Sequence, residues 1–221
     1  MHESKTASES AAPPRGMSSR PGKIVCIGRN YREHAKELGN EVPSEPLFFL
    51  KPSTSIIGDG EPIVLPKQSE RVEFEGEIGI VIGRTLTRAS ESDVESAIAG
   101  ILAINDVTAR DLQRKDSQWT RAKGFDTFCP IGGVSAAKHD LASLTVITRV
   151  NGEEKQRASS SEMVFSIPML LSYVSHVMTL EPGDIVATGT PSGVGPLSPG
   201  DVVEIEIEGV SKVSNPVEAL A

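Results

Sequence analysis

The stretch Glu73-Phe74-Glu75-Gly76-Glu77-Ile78-Gly79-Ile80-Val81-Ile82-Gly83 constrains the fold more than any other. It alternates with the period of two that a β-strand imposes. Val72, Phe74, Gly76 and Ile78 share one side, and Glu73, Glu75 and Glu77 share the other. On a strand, residues i and i+2 point the same way about 7 Å apart, so two such carboxylates can grip one hard divalent cation. The same pattern also describes a half-buried strand with a charged, solvated face, and the alternation alone leaves both readings open.

The 221 residues suit one domain with a sizeable core. A net charge of −8 makes nucleic acid and anionic membranes poor partners, so a small anionic substrate must be held by local cations. Cys26 and Cys129 lie far apart without a CxxC spacing. Buried thiols in a reducing cytoplasm are expected, not a disulfide or a thiolate zinc site. No apolar run approaches the ~18 residues of a membrane span. Residues 1–22 are rich in Ser, Ala and Pro and lack an apolar centre. They are expected to form a disordered tail and not a secretory signal, leaving 23–221 as a single domain.

Along the chain, residues 23–27 read as a strand stopped by Gly28, and 29–39 as a short helix ending at Gly39. Strands are expected at 45–50, 63–65, 144–150 and 202–207, with an Asn151-Gly152 hairpin turn after the third. Residues 90–102 read as a helix with Ser90 as its cap and acids at 91, 93 and 95, and a strand-like stretch over 100–104 runs on from it into Asn105-Asp106. A second helix is expected over 166–180, with Pro168 in its first turn and apolar residues at 167, 170, 171, 174, 177 and 178. Many short strands with few helices indicate a mainly β, α+β domain.

Asp106 ends an apolar run at the start of a polar stretch, where it is either a turn-former or a metal ligand. With two of the glutamates it would supply three carboxylates. Oxygen-only ligation favours Mg²⁺ or Mn²⁺, with Ca²⁺ a further option. His34 and Glu37, at i and i+3 of a helix, read as a base with its orienting carboxylate or as an ordinary exposed pair. Arg110 and Lys123 are cations in the polar stretch, for which surface solubility is the plain reading. Residues 189–195 form a glycine-rich loop that is either a tight turn or a nest of N–H groups for a carboxylate. No GxxxxGK, GxSxG or Rossmann fingerprint occurs. His139 and His176 carry no site pattern, and Trp119 reads as packing.

Taken in order, Gly28-Arg29-Asn30-Tyr31 with His34 and Glu37, Lys51-Pro52-Ser53, Glu75-Gly76-Glu77, Asn105-Asp106 through Arg110 and Gln113, Lys123-Gly-Phe-Asp126 and Thr188-Gly189-Thr190 through Gly195 resemble the fumarylacetoacetate hydrolase family. The resemblance spans about residues 23–216 and is nearest to the short acylpyruvase and oxaloacetate decarboxylase branch. It implies a mixed β-sandwich or β-roll, a cytoplasmic homodimer and a Mg²⁺ or Mn²⁺ site. By position it implies Glu75, Glu77 and Asp106 as metal ligands, and it leaves Glu73 out. It further implies His34, Glu37 and Lys123 as catalytic residues, and Arg29, Lys51, Arg110, Gln113, Gly189 and Thr190 around a small α-keto or diketo acid. The activity expected is C–C bond hydrolysis of acylpyruvates to pyruvate and a carboxylic acid, with oxaloacetate decarboxylation as a second activity. An isomerase of unsaturated hydroxy-diacids and a non-catalytic metal-binding homologue are the alternatives.

Overall fold

Two five-stranded sheets face one another and bury the core between them. The computed structural model describes residues 20–37, 39 and 41–220, so most of the tail expected at 1–22 lies outside the described residues. The first sheet runs Leu47–Lys51, Ile24–Gly28, Ile185–Ala187, Gly76–Ile82, Ile98–Asn105. The second runs Glu153–Ser159, Thr145–Val150, Val202–Ile207, Ser211–Ala219, Ile63–Leu65. Ile78, Ile80, Ile101 and Ala103 from the first sheet join Val146, Val203, Ile205, Ile207 and Val213 from the second in one buried cluster. The other face of the first sheet is covered too. There Ile24, Cys26, Val81, Leu102, Ile104 and Ile185 meet Ile56, Cys129 and Ile131. The chain is mainly β with a few helices, as expected from its many short strands.

Covering both faces explains why Gly76–Ile82 is buried at every residue. A solvated carboxylate face, one of the two readings of its alternation, does not exist. The stretch is also not one strand. Val72–Phe74 belongs to a small three-stranded sheet with Thr108–Ala109 and Gly195–Pro196, and Gly76–Ile82 belongs to the first large sheet. Glu75 is the handover residue. Its N–H donates to the Asn105 side chain at 2.9 Å, and its carbonyl accepts from Asp106 N–H at 2.8 Å. The chain can turn there because Gly76 lets the Thr148 hydroxyl approach the backbone where a Cβ would stand.

Two other expectations are corrected. Helix persists only over Glu91–Val94 with a 3₁₀ turn at Glu95–Ala97, and the chain is extended from Ile98. Gly100 and the isoleucines at 98, 101 and 104 pair along Gly76–Ile82, and sheet pairing overrides the helical start signal. Ser90 holds the N-cap position, but its hydroxyl makes no cap bond to the backbone and donates instead to the Asp93 carboxylate at 2.6 Å. The last strand, Ser211–Ala219, has no counterpart among the sequence expectations, and it contains Pro216, a residue that strand interiors ordinarily exclude. It is tolerated because Pro216 lies opposite Val202, the first residue of its partner. The longer helix follows its pattern over Ile167–Val177, with Ser166 accepting from Met169 N–H, but Val177 is 59% exposed. At the hairpin, Asn151 and Gly152 both have positive φ, 53° and 81°. Both cysteines are buried free thiols.

Gly76→Ala is expected to destabilise the fold by about 1–3 kcal/mol, since the added methyl meets Thr148 and Ile205 in a packed core. Gly133→Ala, where a Cβ meets nothing within 4 Å, is the control. Equal melting temperatures for the two variants would contradict this packing.

Candidate metal centre and active site

The Asn105-Asp106 end of Ile98–Asn105 lies beside the start of Gly76–Ile82, because Gly76 pairs with Asn105. That register brings Asp106 to Glu75 and Glu77. One ligand oxygen from each of the three lies within 4.8 Å of the others, and all three residues are buried. Glu73, although on the same side of the alternation, turns away. It accepts from Arg71 Nε at 2.6 Å and Arg110 Nε at 2.7 Å.

Three buried cations hold the cluster together. Lys123 Nζ donates to Glu75 Oε2 and Asp106 Oδ2, both at 2.7 Å. Lys51 Nζ donates to Asp106 Oδ1 at 2.7 Å and to the Val107 carbonyl. Arg110 donates through Nη2 to Glu75, through Nε to Glu73, and through Nη1 to Gln113 Oε1 at 2.6 Å. Burial pushes the Glu75 carboxyl upward, but Lys123 and Arg110 outweigh it and hold this group far below the usual range. Burial pushes Lys123 down, and the charges of Asp106 and Glu75 overcome that, so it stays an ammonium. Glu77 differs. Among the described residues its carboxylate has no cation partner and accepts only from Gly189 N–H, at 2.8 Å. Burial, then the charges of Asp106 and Glu75, raise its pKa well above the usual value.

The donor set fits a hard divalent cation. Three carboxylates converge, carry no sulfur or nitrogen competitor, and include one buried carboxylate without a counter-charge.

The cluster floors a cavity of about 240 Å³. His34, Arg29, Arg110, Gln113, Lys123 and Thr190 all line it, as their proposed roles require. Lys51 and Gly189 are not among the lining residues. Lys51 has no exposed side-chain surface and its ammonium holds Asp106, while Gly189 contributes its N–H to Glu77. Both sit behind the carboxylates and position them, which differs from the substrate contact expected of them. The Thr190 hydroxyl is also committed: it donates to the Gly76 carbonyl and accepts from Gln156 Nε2, each at 2.9 Å.

The His34–Glu37 pair exists, with Nδ1 to Oε2 at 3.2 Å on the short helix Arg32–Glu37. His34 is buried and lines the cavity, so the ordinary exposed pair is excluded. Glu37 accepts from Gly193 N–H, which pins this helix to the glycine-rich loop. That loop does act as a carboxylate-binding nest, but the carboxylates it holds through Gly189 and Gly193 are the chain's own. Asn30 secures the same region. It donates to the Thr188 and Phe165 carbonyls and accepts from Phe165 N–H.

Ile27, Phe49, Trp119 and Arg114 also line the cavity, and sequence reasoning gave them no site role. Trp119 meets Phe49 edge-on with ring centroids 5.3 Å apart, and Lys123 Nζ lies 4.9 Å from the Phe49 ring centre. Only the tertiary fold brings residues 49 and 119 together. His139 bonds Ser135, and His176 is an exposed residue bonded to the Ser172 carbonyl.

A family model described as fumarylacetoacetate (FAA) hydrolase C-terminal matches residues 23–218. The mitochondrial oxaloacetate decarboxylase of Dictyostelium discoideum is 46% identical over 85% of this chain and 89% of its own length. The mitochondrial oxaloacetate tautomerase of Bos taurus is 41% identical over 88% and 91%. The crystal structure of a 5-carboxymethyl-2-hydroxymuconate delta-isomerase from Mycobacterium smegmatis is 44% identical with a TM-score of 0.85, covering 91% of this chain and 80% of that one.

The raised Glu77 pKa predicts a pH-dependent metal effect. In metal-free protein this group's stabilising contribution is present below its unfolded value near 4.5 and fades as pH rises through the folded value. A bound cation replaces that proton. The rise in melting temperature on adding Mg²⁺ is therefore expected to grow with pH above the usual carboxylate range, and Glu77→Gln should remove most of it. A rise independent of pH in the wild type would contradict this account.

Proposed function

Because the chain belongs to the fumarylacetoacetate hydrolase family, we propose that it is a divalent-metal-dependent enzyme working through the enolate of a small 2-oxo acid, with oxaloacetate-type diacids as substrates. One observation carries this reading. A histidine oriented by a carboxylate and a lysine paired with carboxylates open onto the same cavity as three converging carboxylates. Glu75, Glu77 and Asp106 would hold the cation, which when bound polarises the substrate's keto and carboxylate oxygens. Mg²⁺ and Mn²⁺ suit this donor set best.

The chain's own groups supply the rest. The Lys123 ammonium adds positive charge beside the keto oxygen, where charge accumulates as the enolate forms. The Thr190 hydroxyl is spent, so the donor this loop offers a substrate carboxylate is the Thr190 N–H, which has no hydrogen bond among the described residues. His34 keeps Nδ1 toward Glu37, which leaves Nε2 for proton transfer at the cavity. Loss of CO₂ from oxaloacetate gives the pyruvate enolate, and His34 can deliver the proton to its carbon. Taking a proton from that carbon and placing one on the keto oxygen, or the reverse, passes through the same kind of enolate and interconverts keto and enol forms with no C–C bond broken.

Hydrolysis of acylpyruvates is the second reading, and the orientation of His34 favours it. The same Nε2 can take a proton from water attacking the distal carbonyl, giving a carboxylic acid and the same pyruvate enolate. Isomerisation of an unsaturated hydroxy-diacid is the third outcome to resolve, in line with the Mycobacterium smegmatis neighbour.

Product analysis separates the three, using oxaloacetate, acetylpyruvate and hydroxy-heptadienedioate with Mg²⁺ and with chelator. CO₂ release or enol consumption from oxaloacetate alone is the outcome expected. Two fragments from acetylpyruvate support hydrolysis, and unchanged mass from the dienoate supports isomerisation. No turnover of any substrate with either metal would overturn the enzymatic reading. His34→Ala is expected to slow turnover by about 10²- to 10⁴-fold while metal binding persists, and a wild-type rate would remove His34 from proton transfer.

A further inference from the structure

Two cations on the cavity wall are not used by the metal cluster or by the proton-transfer pair. The deep cations, Lys51, Arg110 and Lys123, are each bonded to carboxylates of the chain. Arg29 and Arg114 line the same cavity and have no ion pair or side-chain hydrogen bond among the described residues. In a chain of net charge −8, guanidinium groups without a counter-ion beside a cavity are anion-binding groups by default. We infer that Arg29 and Arg114 bind the second carboxylate of the substrate and make the site selective for 2-oxo diacids over 2-oxo monoacids. The inference rests on reading the cavity as a 2-oxo acid site.

The surroundings of each residue support the assignment. Arg110 and Arg114 are i and i+4 on the helix Arg110–Lys115, hence on one face about 6 Å apart along the axis. Arg110 is buried against Glu75 at the cavity floor, so the helix carries its second guanidinium outward along the same wall, and Arg114 is exposed. The neighbouring acids do not neutralise it. Asp111 is taken by Ser69 and the Glu70 N–H, and Asp116 by a two-pronged contact from Arg121.

Arg29 is held in a costly conformation. It is a non-glycine residue with φ of 60°, directly after the strand Ile24–Gly28. A left-handed arginine persists only where the surroundings fix it. Gly28 lies against the Trp119 ring, where a Cβ would come within 3.2 Å, and Asn30 is locked by three hydrogen bonds. The turn is therefore set on both sides of Arg29, and the half-buried side chain stays at the cavity. Ile27, Phe49 and Trp119 line the same cavity as these arginines and the carboxylates, and provide apolar wall suited to a short carbon chain. A diacid has a charge to place at each end of that chain, and a monoacid does not.

Trp119, the single tryptophan of the chain, lines the cavity and supplies a binding signal that needs no turnover. The test is a fluorescence titration of the full-length protein in saturating Mg²⁺ with 2-oxoglutarate and with 2-oxopentanoate, which matches its carbon chain but lacks the distal carboxylate. Wild type is expected to prefer the diacid by about tenfold or more, and Arg29→Gln and Arg114→Gln should each bring the ratio of the two affinities toward one. Arg114 is exposed, so its variant remains informative if Arg29→Gln fails to fold. No preference in the wild type, or an unchanged ratio in both variants, would overturn the inference and leave the 2-oxo acid site standing. Failure of the wild type to bind either ligand would overturn the reading of the cavity, and this inference with it.

Discussion

Burying ionised groups is the constraint on which this structure depends. Glu73, Glu75, Glu77 and Asp106 are withdrawn from water together with Lys51, Arg110 and Lys123, and each such ion costs several kcal/mol to desolvate unless it is paired. The pairings are nearly complete: Glu73 and Glu75 share Arg110, Glu75 and Asp106 share Lys123, and Asp106 also has Lys51. Glu77 is left with a single backbone N–H. A fold that satisfies three of its buried carboxylates with cations and leaves the fourth beside them without one has built a place for a positive charge from solution.

The sheets make that arrangement rigid. The first sheet is covered on both faces, so the strand that carries Glu77 is packed from either side. The switch between sheets at Glu75 turns two neighbouring glutamates of one alternation to different tasks, Glu73 to the Arg71–Arg110 pair and Glu75 to the cluster. The glycine-rich loop then closes the centre from the other side. Through Gly189 it touches a proposed metal ligand and through Gly193 the Glu37 carboxylate behind His34, so one loop contacts both the proposed cation site and the proposed proton-transfer pair.

Much of this was legible in the sequence, with identifiable gaps. A short apolar run stopped by glycine located the strand at Ile24–Gly28, period-two alternation located that at Val202–Ile207, and turn chemistry located the Asn151-Gly152 hairpin. Alternation did not distinguish Glu73 from Glu75 and Glu77, because all three share a side until the chain changes sheets. That distinction came from the family resemblance. The helical signal over 90–102 failed where long-range pairing overrides it, from Ile98 onward, although the strand-like character of 100–104 was legible, and the strand Ser211–Ala219 carried no expectation at all. Resemblance also put Lys51 and Gly189 in contact with substrate. The structure puts them behind the carboxylates, a distinction that depends on burial and not on residue type. Phe49, Trp119 and Arg114 carried no local pattern, since the cavity wall exists only once distant segments meet.

The central claim is that Glu75, Glu77 and Asp106 together hold one divalent cation. The most direct test is anomalous scattering from crystals grown with Mn²⁺ and oxalate, a small stand-in for the 2-oxo acid end of the substrate. The account predicts one manganese peak per chain, bonded to an oxygen of each of the three carboxylates, with oxalate on its cavity side. Crystals with oxalate bound but no manganese between these residues, or manganese bound only elsewhere, would contradict it.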